Sequence, residues 1–520
     1  MFIPIRLLAL FAFIGAPLVA SAAVRLPYVF THHMVLQRDM PAPIWGTAEP
    51  GEKVTVRFDG QEHAATADAS GNWRVTLDPL SPGAPRELVI TSDRAEGPVV
   101  VEEVLVGDVW ICSGQSNMQW ALRNAKDSDL TTLTADRPEI RLLKVNQLGS
   151  PTPLDDIDQP WELCTPESVQ DFSAVGYHFG VQLQESLGVP IGLIRNAWGG
   201  SACEAWTPRE RLTENELFKP YLDQWRKTES QHDEAALRAE YAERLAKFYE
   251  NRAVAYAARE SLPRVPGLKN PLFQQHRPAN LYNARVAPIA PFAIKGVIWY
   301  QGESNAGRAY AYRDLFPMMI QSWRDHWAQG DFPFYWVQLA DFKKERRLGS
   351  EDSEWAELRE AQTMTRDRLP NVGEAVIIDL GEANDIHPRN KRDVGLRLAR
   401  LALAETYGLK IKGRSARFDR VEFADGKAVV SFRDVGGGLK TFDGVAPAGF
   451  ALAGEDRVFH PAVAKVVDKA GVELSSSEVP VPVAVRYAWA FNPVVNLYDS
   501  AWLPVTPFRT DDWPGVTQPK

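Results

Sequence analysis

Five apolar runs of strand length recur through the middle of this chain, at 104–112, 190–195, 294–300, 334–339 and 375–380, with helical patterns between them. Val175, Phe179, Leu183 and Leu187 share one helical face; Phe316, Ile320, Trp323 and Trp327 share a second; Val394, Leu398 and Leu401 share a third. A helix between two strands supplies the long crossover that parallel pairing needs. The alternation therefore predicts an α/β domain, a parallel sheet with helices over both faces. In such sheets a ligand sits beyond the carboxyl ends of the strands. The polar strings of the chain lie at those ends: Gln115-Ser116-Asn117, Asn196 to Ser201, Gln301 to Asn305, and the loop Gly381 to His387.

The flanks read differently. Residues 23–103 alternate short β runs with turn signals such as Asp59-Gly60 and Ser70-Gly71, which predicts a small β-sandwich. The β grammar returns after 411, where Val421-Glu422-Phe423 precedes Asp425-Gly426, so 411–520 is expected to be a second β region. Between them, 104–410 is expected to form the sheet domain. Residues 208–262 interrupt it with a Glu-, Arg-, Lys- and Ala-rich stretch carrying Leu237, Tyr241, Leu245 and Phe248 at helical spacing, a helical insertion. Residues 1–22 read as a signal peptide, with Arg6, the apolar stretch Leu7 to Val19 and Ala20-Ser21-Ala22. The apolar run is short for a membrane span. The expected destination is the periplasm or the extracellular space.

A net charge of −9 without blocks of like charge argues against nucleic acid as a partner. Cys112, Cys164 and Cys203 leave at least one thiol unpaired; a Cys164–Cys203 bridge is one option, and Cys112 reads as a buried small hydrophobe. Their spacings suggest no metal site, and no cofactor is expected.

A serine, a histidine and side-chain amides at strand ends are what acyl transfer uses. Ser116 is the candidate nucleophile. His387 is the candidate base among nine His, because it follows a strand end and precedes a helix starting near Asn390. Asp385 is the candidate to orient the imidazole; a backbone carbonyl or Glu303 is the alternative. Oxyanion donors are expected from the Ser116 N–H, a glycine N–H in Trp198-Gly199-Gly200-Ser201, with Gly200 preferred, and the Asn305 amide. Gln115, Trp198, Trp206, Trp299, Tyr300 and Glu303 are candidates for substrate contact. The string around Ser116 is not the Gly-x-Ser-x-Gly elbow, since Met118 replaces the second glycine.

These blocks resemble the SGNH hydrolases, with Ser116, Gly200 (or Gly199), Asn305 and His387 as the four signature residues. More narrowly the chain resembles the sialate O-acetylesterase-like carbohydrate acetylesterases. The resemblance rests on Val109 to Met118, Trp198 to Ser201, Phe292 to Asn305 and Asp385-Ile386-His387-Pro388, with Met34 to Arg38 and Val485 to Trp489 near the ends. Many SGNH enzymes place an Asp three residues before the His; here that position is Asn384 and the acid is Asp385. The resemblance implies an exported serine esterase removing O-acetyl groups from an acetylated mono- or oligosaccharide, sialic acid or a hemicellulose such as xyloglucan or xylan, through an acetyl-enzyme. Arg308 and Arg389 lie near the motifs and are candidates for a carboxylate clamp. Two rival readings remain, a lipase or thioesterase and a non-catalytic carbohydrate-binding protein. The oligomeric state is open.

Overall fold

The computed structural model describes residues 24–258, 264, 267, 270–346 and 352–519. The expected signal peptide lies outside the described residues. The amino-terminal layer starts with β1 (Val35–Gln37) and continues through β2 (Ala42–Thr47), β3 (Lys53–Phe58), β4 (Gln61–Thr66), β5 (Asn72–Leu77) and β6 (Arg86–Ser92). Their period-two pattern buries Val54, Val56 and Phe58 from β3 and Trp73, Val75 and Leu77 from β5. Asp59 and Gly60 both take positive φ, the geometry of the hairpin turn joining β3 to β4.

The next strand, β7 (Val99–Gly114), belongs to two layers. Its first residues pair antiparallel with β6, Val101 opposite Leu88. Its last residues pair in parallel with β10 (Ile191–Ala197) and β11 (Gly296–Tyr300), Gly114 opposite both Ala197 and Tyr300. The amino-terminal β layer therefore passes into the sheet within one strand, across residue 103. The main sheet runs β14 (Val372–Ala375), β12 (Phe334–Val337), β11, β7, β10, β8 (Ile140–Lys144), β9 (Trp161–Leu163). All its neighbours pair in parallel except β9, an antiparallel edge. A two-residue strand, β13 (Glu345–Arg346), pairs with Asn492–Pro493.

Helices cover both faces. Beneath lie α3 (Ala174–Leu187) and α9 (Lys391–Glu405), whose Val175, Phe179, Leu183, Val394 and Leu398 share a core with Trp110, Cys112, Ile298 and Tyr300. Above lie α7 (Ala309–Trp327) and α8 (Glu354–Met364), packed with Val109, Ile111, Val297, Trp299 and Trp336. Successive strand residues thus feed opposite layers, and both layers are dry. The short α1 (Ser116–Gln119) and α2 (Ser128–Leu133) follow β7. The insertion is α4 (Arg209–Leu212), α5 (Lys219–Ser230) and α6 (Glu234–Ala258).

Three expectations change. The fifth strand lies at Val372–Ala375 instead of 375–380, because Val376 and Ile378 leave the sheet to join the carboxyl-terminal β core. Trp206 and Trp299 do not line a substrate site: both are fully buried, in T-shaped contact at 5.8 Å inside the upper core. Tyr300 is fully buried in the lower core. All three cysteines are free and buried, Cys164 and Cys203 in different cores, so the bridge between them does not form.

Two antiparallel four-stranded sheets make up most of the carboxyl-terminal region. They enclose Val430, Phe432, Phe450, Leu452, Leu474, Val485 and Tyr487. The buried guanidinium of Arg359 on α8 ties this region to the main sheet. It donates to the carbonyls of Leu339, Ala340, Ala490 and Phe491 at 2.6–2.9 Å. Among the described residues no helix is long and apolar enough to cross a membrane.

Candidate active site

Ser116 begins α1 directly beyond the end of β7. Ladder pairing persists to the residue before it, where the Gln115 N–H donates to the Tyr300 carbonyl at 2.9 Å. Gly114 makes this approach possible. It sits at φ +131°, and a Cβ there would lie 2.2 Å from the Tyr300 carbonyl oxygen. The loop after β14 brings His387 over Ser116, with Nε2 and Oγ 2.8 Å apart. Trp120 stacks on the imidazole at 5.0 Å between centroids and 17° between planes. Burial, then the Lys391 ammonium, hold His387 below the ordinary imidazole value, against the opposing Asp385 carboxylate.

Asp385 is less closely engaged than a buried orienting acid. Its Oδ1 accepts the His387 backbone N–H at 2.8 Å and lies 3.5 Å from Nδ1, and its side chain is 48% exposed. Glu303, the alternative, points elsewhere: its Oε1 accepts from Asn117 Nδ2 at 2.6 Å, and burial pushes its carboxyl up. Asn117 Nδ2 also donates to the Ile386 carbonyl at 3.0 Å, and Asn117 Oδ1 accepts from Lys391 Nζ. Glu303 is therefore an interior partner of the serine turn, not a substrate contact.

The other candidates divide. Gly199 lies against the serine, where an added Cβ would sit 3.4 Å from Ser116 Cβ; Gly200 would meet nothing closer than Gln275 Nε2 at 3.9 Å. Gly199, not Gly200, is therefore the glycine packed on the serine. Its N–H donates to Gln119 Oε1 at 2.6 Å. The Ser116 N–H opens a helix and has no intrahelical acceptor. The Asn305 amide is engaged by other partners. It is fully buried, with Nδ2 on Glu204 at 2.9 Å and Oδ1 accepting from the Cys203 N–H and Gln301 Nε2. Gln115 is also buried, its Oε1 accepting from the Gly302 and Ser304 N–H groups, so it braces two strand ends and touches no substrate space. Arg308 is paired with Glu204 and Arg389 with Glu382, so both clamp candidates already hold carboxylates.

Ser116 and His387 open into a cleft of about 690 Å³, walled by Gln119, Trp120, Arg123, Lys144, Asn146 and Arg195. Trp198 faces a separate cavity of about 620 Å³ beside Glu234 and Arg238 of α6. Trp120 and Lys391 escaped the sequence reading. Trp120 lies only four residues past Ser116, and an aromatic beside a candidate nucleophile was the available signal. Lys391 looks like any first-turn lysine of an amphipathic helix. Among the described residues no group of His, Cys, Asp and Glu is arranged to hold a metal.

The model of the carbohydrate esterase family of sialic acid-specific acetylesterases matches residues 106–251 and 272–404. A mouse sialate O-acetylesterase is 31% identical over 432 residues, covering 75% of this chain and 75% of its own length. The human sialate O-acetylesterase is 31% identical over 424 residues, covering 75% and 72%. A crystal structure of a carbohydrate acetylesterase from Xanthomonas citri superposes with a TM-score of 0.79 at 38% identity, covering 94% of this chain and all of that one.

Proposed function

The chain belongs to the carbohydrate esterase family of sialic acid-specific acetylesterases, a carboxylic ester hydrolase, and from that premise we propose that Ser116 and His387 carry out its deacetylation chemistry. The observation that carries the proposal is the 2.8 Å contact between His387 Nε2 and Ser116 Oγ at the floor of an open cleft. Ser116 Oγ attacks the acetyl carbonyl carbon while Nε2 takes its proton. The carbonyl electrons collect on the oxyanion, which the N–H groups of Ser116 and Gly199 receive once Gln119 Oε1 swings away from Gly199. The imidazolium, opposite the Asp385 carboxylate, returns its proton to the sugar oxygen as the carbon–oxygen bond breaks, leaving acetyl-Ser116 and a free hydroxyl. Water then attacks the acetyl carbon, Nε2 takes its proton, and Ser116 leaves with that proton as acetate departs.

The substrate in this reading is an acetylated mono- or oligosaccharide. The names of the relatives support it, and so does the cleft, lined by the amides of Gln119, Asn124, Asn146 and Gln159, the cations of Arg123, Lys144 and Arg195 and the Asp171 carboxylate, beside Trp120. The short apolar leader at 1–22 supports export of the enzyme. The test is acetate release by wild type and Ser116→Ala from acetylated sialic acid, acetylated xyloglucan and xylan oligosaccharides, and p-nitrophenyl acetate. Release that Ser116→Ala abolishes supports the mechanism and names the sugar class. A Ser116→Ala variant that still releases acetate at the wild-type rate overturns it.

A further inference from the structure

Lys391 is fully buried at the first position of α9, beneath the Ser116–His387 pair. Its ammonium lies 5.4 Å from the Tyr300 ring centroid and 5.7 Å from that of Trp120, the ring stacked on His387. Its one hydrogen-bond acceptor among the described residues is Asn117 Oδ1. Removing an ammonium from water is strongly unfavourable unless something compensates it, and a Met would fill similar space without that penalty. The compensation is indirect. The Asn117 amide stands between Lys391 and Glu303 with its oxygen toward the ammonium and its NH₂ toward the carboxylate, the orientation a Lys⁺/Glu⁻ pair selects. The same NH₂ donates to the Ile386 carbonyl, one residue before His387. One amide therefore joins the residue after the candidate nucleophile, the residue before the candidate base, and two buried charges.

We propose that Lys391 is a positioning residue of the deacetylation reaction: through Asn117 and Glu303 it clamps the Ser116 turn to the His387 loop and so holds the imidazole where it can accept the serine proton. The proposal rests on the esterase reading above. The charged and titratable groups around His387 come from several elements, and across the cleft they are Arg123 paired with Asp171, Lys144 paired with Glu162, and Arg195. Asp385 and the Glu382–Arg389 pair lie on its own loop, Ser116 and the neutral Trp120 on and after α1, and Lys391 on α9. Those acting on Lys391 are Glu303, Asp385 and Glu382. Burial brings Lys391 down to about 7, and Lys391 in turn lowers His387, so the two basic groups are electrostatically linked.

The test compares wild type with Lys391→Met and with Lys391→Met/Glu303→Gln, the double variant leaving neither buried charge unpaired. Folding is read by circular dichroism and thermal unfolding, and p-nitrophenyl acetate hydrolysis across the His titration range. The His387 imidazole is titrated by NMR, assigned with His387→Asn. The folded double variant is expected to lose about 10- to 100-fold in kcat with KM changed less than about twofold. In Lys391→Met the His387 titration and the acid limb of kcat/KM both move to higher pH. A folded double variant with kcat within about twofold of wild type overturns the proposal. So does a loss of kcat with an unmoved His387 titration, which makes Lys391 a packing residue. A double variant that cannot fold overturns it too, since the pair is then a folding element. Wild type that hydrolyses no acetate ester overturns the esterase reading and not the clamp, which the His387 titration then judges alone.

Discussion

His387 sits partly buried, near a buried cation, and faces a half-exposed carboxylate, and with His387 as the proposed base this balance would set the pH response. A proton-accepting imidazole works only while neutral. Because burial and Lys391 lower its affinity for protons, it stays neutral as pH falls through the ordinary imidazole range near 6.5. The acid limb of a kcat/KM profile is therefore expected below about pH 6.5, read with p-nitrophenyl acetate. Asp385 opposes that shift from 3.5 Å, with its side chain half-exposed. Asp385→Asn is expected to cost about tenfold or less in kcat, far short of the ~10⁴-fold that a buried triad acid commands. A steady-state comparison of the two variants Asp385→Asn and Ser116→Ala checks this. Ser116 and His387 were legible because each ends a strand-loop unit that the alternation placed at one edge. Lys391 and Asn117 were not, because their meeting depends on a loop folding back across most of the sheet domain.

At the scale of the element, the platform under Ser116 is the parallel contact of β7 with β11. Gly114 permits it: any side chain there would strike the Tyr300 carbonyl and hold a φ that L residues rarely adopt. Gly114→Ala is expected to destabilise the protein by about 2–4 kcal/mol, seen as a lower midpoint in urea unfolding. The survivors should lose esterase activity disproportionately, since the displaced residue is two positions from the serine. The strand and helix patterns around this platform could be read from apolar periodicity. The fate of the aromatics could not. Both faces of a helix-covered parallel sheet are dry, so alternation along β11 does not separate Trp299, which enters the upper core, from a residue facing substrate. Trp206, in the turn Cys203–Trp206, enters the same core edge-on to Trp299. The fifth strand ended early because Val376 and Ile378 are apolar for the sake of a different core, which a one-dimensional pattern cannot assign.

At the scale of the whole molecule, Arg359 fastens the carboxyl-terminal sheets to the catalytic layer through four backbone carbonyls, with burial drawing its guanidinium down to about 10. Arg359→Leu removes those donors at once and is expected to cost about 3–5 kcal/mol, measured by denaturant unfolding. Chains ending near residue 410 should be insoluble or protease-sensitive, because Val376 and Ile378 would lose the core they fill. The double membership of β7 has a consequence in time. During synthesis Ser116 emerges early, yet the strands that flank its platform end at Ala197 and Tyr300, and its partner imidazole arrives at His387. Contacts this distant along the chain form slowly. With Ser116 and His387 acting as proposed, the nascent protein would carry an inert serine for most of its translation, and the capacity to cut an ester would appear late and all at once, when the last crossover closes.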